Sequence, residues 1–173
     1  MYKGKAAHAL IAYCSIMGLY GGIWYDPSTL PEPTPCELKR GLVVAPEALA
    51  ELAAAAPGAP IMWDHTAMAA IEGSKPGAER AAAAAHPLRV GTVEAAWVDR
   101  NGVARVVWSI FTQYSRVAEL VQRRKLGGLS ATHVVGTNRF VELSLTSSPA
   151  RPGCEIEGHV TDVAEYISLH PPW

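Results

Sequence analysis

The sequence predicts a mainly β fold, an antiparallel β-barrel surrounded by α-helices. Apolar runs rich in β-branched and aromatic residues recur along the chain, Gly, Pro and Asn punctuate them, and the stretches with helical spacing between them are short. At 173 residues the chain suits one domain, 1–173, whose core needs no staples. A hydrophobic share of 49% rules out wholesale disorder. With 15 basic against 16 acidic residues the net charge is −1, which leaves no electrostatic footprint for nucleic acid or an anionic membrane.

Residues 8–17, HALIAYCSIM, lack helical periodicity and read as a strand buried on both faces. No apolar run there reaches a membrane span, and Tyr, Trp and Met crowd the place of a cleavage site, so neither a transmembrane segment nor a signal peptide is expected. Gly18, Gly21 and Gly22 predict a turn or bulge before Ile23, and Pro27, Pro31, Pro33 and Pro35 exclude regular structure from the loop that follows. In residues 41–56 Pro46 fits a first helical turn, Leu49 and Leu52 share a face, and Pro57-Gly58 ends the helix.

Residues 66–89 turn to alanine, with a break at Lys75-Pro76-Gly77 and a helix in AERAAAAAH. Alanine favours helix and buries little area, so this stretch is expected to be a surface insertion, either a flap beside a site or a plain elaboration. Asn101-Gly102 between VGTVEAAWVD and VARVVWSIF predicts a tight hairpin, with Trp97 and Trp108 placed to pair across it. Ser115 is the expected N-cap of a helix with Val117, Leu120 and Val121 on one face, toward the core or a second subunit, and Gly127-Gly128 its stop. GLSATHVV and RFVELSLTSS supply two more strands, and Thr161 or Asp162 caps a last helix through Ile167. Cys14, Cys36 and Cys154 are too few and too scattered for a disulfide framework or a metal knuckle, so reduced thiols are expected.

Three segments carry candidate chemistry. PIMWDHT ends an apolar run at His65, and LGGLSATHV places Ser130 just past two glycines. FVELSLTSSPARPG alternates, with Val141, Leu143 and Leu145 on one face and Glu142, Ser144 and Thr146 on the other. Hydrolysis by a serine needs a hydroxyl, a base that takes its proton, and a third group that orients the imidazole and stabilises its cation. Singly, each residue has a plain reading: His65 as a hydrogen-bonded, partly buried histidine, Ser130 as a turn residue, Glu142 as a solvated acid on an edge strand. Asp64 points away from His65 if the segment is extended, and His133, on the opposite strand parity to Ser130, is expected to pack.

Taken in order, MWDH, VGTVEAAWVDRNGVARVVWSIF, GLSATH and FVELSLTSSPARPG resemble the prohead proteases of tailed bacteriophages. Those enzymes run hydrophobic-x-x-His, a Gly-x-Val strand with an Asp-containing turn, Gly-Leu-Ser, then Glu-x-Ser-hydrophobic-x-x-x-Pro-Ala. The N-terminal strand and Pro-rich loop are also similar to the herpesvirus assemblins, which share the fold and use a second histidine where the phage enzymes have an acid. The similarity spans about residues 8–153. It implies a serine endopeptidase of capsid maturation that needs no metal or cofactor, with Ser130 as nucleophile, His65 as general base and Glu142 as third member.

By the same resemblance the turn at residues 149–153 builds the oxyanion hole. The backbone N–H of Ala150 or Arg151 would face the oxyanion, and the Arg151 side chain would add charge directly or through water. One arginine stands where the herpesvirus pattern has two or more, and an exposed loop charge is its plain alternative. The implied partners are scaffold and major capsid protein precursors inside an immature capsid, together with a second copy of the chain in a homodimer or higher oligomer. The rival expectation is a non-catalytic assembly or scaffold module with the same barrel. An ester hydrolase is disfavoured because no GxSxG surrounds Ser130.

Overall fold

The computed structural model describes residues 16–30 and 41–173. Seven strands form one curled sheet: β1 (Ile16–Tyr25), β2 (Pro60–Trp63), β3 (Arg89–Val98), β4 (Ala104–Phe111), β5 (Gly128–His133), β6 (Phe140–Thr146) and β7 (Ile156–Val160). Among the described residues five helices lie around it: α1 (Pro46–Ala55), α2 (Met68–Glu72), α3 (Glu79–Ala84), α4 (Ser115–Gln122) and α5 (Val163–Leu169). The strand order is β5-β6-β2-β3-β4-β1-β7.

Mainly β with surrounding helices is as expected, but the all-antiparallel closed barrel is corrected in two respects. β2 and β6 run parallel, with Ile61 opposite Leu143 and Trp63 opposite Leu145. A long excursion through β3, β4, α4 and β5 separates them, so no tight hairpin imposes opposite directions. The curl brings the edge strands β5 and β7 together only at a Gly128–Glu155 bridge. There the Leu129 N–H donates to the Cys154 carbonyl at 3.2 Å and the Ile156 N–H to the Gly127 carbonyl at 2.9 Å.

The strand expected over residues 8–17 lies outside the described residues except for its last two, as do Pro31, Pro33, Pro35, Cys14 and Cys36. Of the turn or bulge expected at Gly18, Gly21 and Gly22 no turn forms, since β1 continues through them, but its pairing register shifts between Ile16 and Gly18 against β4 and between Gly21 and Gly22 against β7. Close approach is what the missing side chains permit, since a Cβ at Gly22 would stand 2.5 Å from the Glu155 carbonyl oxygen. The β3–β4 hairpin forms, but with a three-residue loop, Arg100 to Gly102, in which Gly102 takes φ +77°. Buried Asp99 organises that loop by accepting the N–H groups of Asn101 (2.8 Å) and Val103 (3.1 Å).

Trp97 and Trp108 do not pair, because Trp108 lies opposite Val93 and Trp97 opposite Arg105. Trp108 instead stacks with Tyr20, and the Trp97 Nε1–H donates to the His170 carbonyl at 2.7 Å. α1 starts at Pro46 and buries Leu49 and Leu52. α4 turns Val117 and Val121 into the core, but Tyr114, not Ser115, is its cap residue, because a 3₁₀ turn runs directly into the helix. It also stops early, at Gln122, where the chain enters a left-handed turn at Arg124, φ +59°. Asp162 caps α5 through the N–H groups of Ala164 and Glu165. β7 has no counterpart in the sequence expectations. Cys154 is a free, buried thiol.

The main core, with Trp24, Leu52, Ile61, Trp108, Leu129 and Leu143 fully buried, fills the inside of the curl. A second cluster joins Met62 and Val141 to Ala67, Ile71 and Ala83. The alanine-rich stretch therefore packs as α2 and α3 over the outer side of β2 and β6, and Ala67 and Ala83 lie fully within that contact rather than on a bare surface. β6, covered on both faces and paired on both edges, is buried at every residue. Among the described residues no helix is long and apolar enough to cross a membrane.

Candidate active site

β6 lies between β5 and β2, so three sequence segments meet along it. Antiparallel pairing sets Ser130 opposite Ser144 and Thr132 opposite Glu142. On the other edge the chain leaves β2 at Trp63 and turns sharply through Asp64 and His65, both left-handed at φ +49° and +56°. For residues other than glycine that backbone costs roughly 1 to 2 kcal/mol each and persists only where neighbours hold it.

β6 holds this turn at three points. The Asp64 N–H donates to the Leu145 carbonyl at 3.0 Å, and the His65 N–H to Ser144 Oγ at 3.0 Å. The Thr146 hydroxyl donates to Asp64 Oδ1 at 2.7 Å. The turn swings the imidazole back over the strand, where its Nδ1 lies 2.6 Å from Glu142 Oε1. Asp64, as expected, is not the acid on this ring.

Glu142 is fully buried, which corrects its plain reading as a solvated acid on an edge strand. A buried carboxylate is unfavourable by several kcal/mol unless it is paired and hydrogen-bonded. Here Oε1 accepts the Thr132 hydroxyl at 2.6 Å as well as the imidazole, and Oε2 accepts the Ser144 hydroxyl at 2.8 Å. The hydrogen bond to Glu142 is the main cause that raises the His65 pKa above 6.5. Burial opposes it, and the charges of Glu142 and Asp64 add to it. Because the carboxylate accepts at Nδ1, that nitrogen carries the proton and Nε2 is left as the proton acceptor.

His65, Ser130, Ala150 and Arg151 line one cleft of about 210 Å³, with Leu42 and Met68 as apolar walls. Glu142 lies beneath it, bonded to His65. Ser130 and His65 share the wall of this cleft, and among the described residues no hydrogen bond joins Ser130 Oγ to the imidazole. Gly128 brings the turn at residues 149–151 against the start of β5, since a Cβ there would stand 2.7 Å from Pro149 Cδ.

Arg151 is not an exposed loop charge. Its buried guanidinium donates from Nε to the Leu42 carbonyl and from Nη2 to the Gly41 carbonyl, both at 2.8 Å, and lies over the Tyr25 ring. Those donors are committed to the backbone of residues 41 and 42. His133 packs as expected, with Nε2 3.1 Å from the Gly41 carbonyl, and burial beside Arg151 keeps its pKa below 6.5. Thr132 and Ser144 are the site residues the sequence reading left out. The signal for Ser144 was its place on the Glu142 face of an alternating strand.

No protein-family model matches the sequence, and no curated protein does. Solved structures do match the fold. The Kaposi's sarcoma-associated herpesvirus protease in complex with a hexapeptide phosphonate inhibitor superposes with a TM-score of 0.58. It has 16% identity, over 88% of this chain and 69% of that one. This chain has the herpesvirus-protease fold. The same viral protease with an allosteric inhibitor gives 0.51 at 15% identity, over 89% of this chain and 83% of the other. With a dimer disruptor it gives 0.50 at 15%, over 88% and 81%. At these identities the likeness is one of fold alone.

Proposed function

We propose that this chain is a serine endopeptidase of viral or phage capsid maturation, acting through a Ser130, His65 and Glu142 triad. The observation that carries the reading is the 2.6 Å bond from His65 Nδ1 to a fully buried Glu142, at a cleft whose wall includes Ser130. Glu142 fixes the tautomer, so Nε2 takes the Ser130 proton as Oγ attacks the scissile carbonyl, and returns it to the leaving amine. General base catalysis of this kind contributes about 10²- to 10⁴-fold. The oxyanion is held by the backbone N–H of Ala150 or Arg151, a donor of about 3 kcal/mol in such sites. Water then releases the acyl group from Ser130.

A carboxylate as third member favours the phage-type form of this chemistry, and the fold is shared with a viral protease that takes a hexapeptide phosphonate. That inhibitor supports an extended peptide as occupant of the cleft. The substrates are scaffold and coat precursors within the immature capsid, and self-association accompanies activity.

A fluorophosphonate probe tests the reading directly. Labelling at Ser130, abolished in Ser130→Ala together with cleavage of a scaffold substrate, is the expected result. An unlabelled wild type, or a Ser130→Ala protein that cleaves at the wild-type rate, overturns it in favour of a non-catalytic assembly module.

A further inference from the structure

The triad reading leaves unexplained why a strained, non-glycine turn and a fully buried carboxylate on different strands keep a 2.6 Å contact. One side chain touches both. Ser144, fully buried in β6, accepts the backbone N–H of His65 at 3.0 Å and donates its own proton to Glu142 Oε2 at 2.8 Å. It is thus a single-atom bridge between the main chain of the base and the side chain of the acid. The geometry suits no simpler structural role. Among the described residues the Ser144 hydroxyl makes no other hydrogen bond, and the two groups it joins are a left-handed residue of the turn and the oxygen of Glu142 that does not face the imidazole.

We infer that Ser144 is a positioning residue for the triad, locking the His65 turn and the Glu142 carboxylate in one register so that the imidazole is presented with Nδ1 on the acid. This deepens the protease reading and rests on it for its catalytic meaning. The hydroxyl performs both tasks at once: its proton is directed to the carboxylate, and its lone pair remains for the amide. Thr132 completes the carboxylate's shell from β5 but touches only the Glu142 side of the pair by a short bond, 2.6 Å against 3.5 Å to the imidazole. Its loss is therefore expected to weaken the acid without freeing the turn.

The experiment uses the whole chain with Ser144→Ala, and the matched pair Ser144→Thr and Ser144→Val, whose side chains have nearly the same shape and differ in the hydroxyl. That pair keeps the question answerable if the alanine variant does not fold. Two readouts are taken: the rate of fluorophosphonate labelling at Ser130, and the pKa of the His65 imidazole by NMR titration. Loss of the hydroxyl in Ser144→Ala or Ser144→Val should slow labelling about tenfold or more. It should also lower the His65 pKa toward 6.5, because the Glu142 bond that raises it is no longer held. Ser144→Thr should retain both properties. In a Glu142→Gln background, Ser144→Ala should add little further slowing, since its effect runs through that carboxylate.

An imidazole pKa that is unchanged or rises in the hydroxyl-free variants overturns the inference, as does an additive loss in the double variant. If wild-type Ser130 is not labelled at all, the protease reading fails, and the titration alone still decides whether Ser144 positions His65.

Discussion

Glu142 accepts hydrogen bonds from an imidazole and two hydroxyls while wholly removed from water, so its charge acts on His65 at close range and little screened. Glu142→Gln keeps an acceptor but removes that charge. Single-turnover labelling of Ser130 should slow about 10²- to 10⁴-fold, less than the complete loss in Ser130→Ala. Only neutral imidazole serves as base, and its folded pKa lies above 6.5, so the acid limb of the rate profile should have its midpoint above 6.5 and drop toward it in Glu142→Gln. A limb that stays in place would remove Glu142 as the cause. A pKa raised on folding also means that the folded state binds the proton more tightly. Its stabilising contribution is fully present below pH 6.5 and is lost as pH rises through the folded value. The stability deficit of Glu142→Gln should therefore be larger at about pH 5.5 than at about pH 8.5 by urea denaturation. His65, Ser130 and Glu142 could be named as candidates because each sits in a recognisable local context in a fixed order, and the fold brings His65 onto Glu142 and into one cleft with Ser130. The bonds of Thr132 and Ser144 were not legible, since a hydroxyl's partner depends on register, and a left-handed turn at Asp64 and His65 carries no glycine or asparagine to announce it.

At the scale of the elements, the contact between β5 and the turn after β6 joins the proposed nucleophile to the proposed oxyanion donors. A Cβ at Gly128 would meet Pro149 Cδ at 2.7 Å and the Thr146 carbonyl oxygen at 3.0 Å, whereas one at Gly127 has its nearest neighbour at 3.8 Å. Gly128→Ala should therefore displace residues 149–151 and slow labelling about 10²-fold, the loss of one oxyanion donor, while Gly127→Ala stays near wild type. Equal rates for the two variants would detach that turn from the oxyanion. The pair also shows where sequence periodicity stops informing. Helical spacing revealed α1 and α4, alternation revealed β6, and turn residues revealed the β3–β4 hairpin. Two adjacent glycines read only as a helix stop, because the reason for Gly128 is a proline 21 positions away that only the folded sheet brings near. The glycines of β1 follow the same logic: they signalled the irregularity that the register shift at Gly21 and Gly22 shows, but not that they admit the backbone of residue 155 and the Tyr166 ring.

Across the whole molecule the sheet divides its labour along the strand order. The proposed chemistry gathers on β5, β6 and the end of β2, while the far strands carry an ionic knot that ties the hairpin loop, β7 and α5 together. Arg105 donates from Nε to Asp99 at 2.8 Å and from Nη1 to Glu157 at 2.5 Å, and the Tyr166 hydroxyl donates to the same Glu157 oxygen at 2.6 Å. Burial would raise the Asp99 pKa, but the bonds from Arg105 and from the Val103 and Asn101 N–H groups outweigh it and hold the carboxyl below 3.8. This contribution to stability is present at neutral pH and is lost only as pH falls through that lowered value. None of this partnership was visible in the sequence, where Glu157 precedes a glycine in a strand no pattern marked and lies 52 residues from Arg105. Arg105→Gln strands a buried Asp99 charge, which should destabilise the fold by about 3 kcal/mol, a fall of about 10 °C in Tm by calorimetry. Glu157→Gln removes a charge whose side chain is 33% exposed and should cost less than about 1 kcal/mol. If chemistry and stability are segregated along the sheet, Arg105→Gln measured well below its melting point should still label Ser130 at the wild-type rate. A rate that falls with Tm would mean that the narrow seam between β5 and β7, where only the Gly128–Glu155 bridge joins the edges, transmits the loosening of β7 into the strand that bears Ser130.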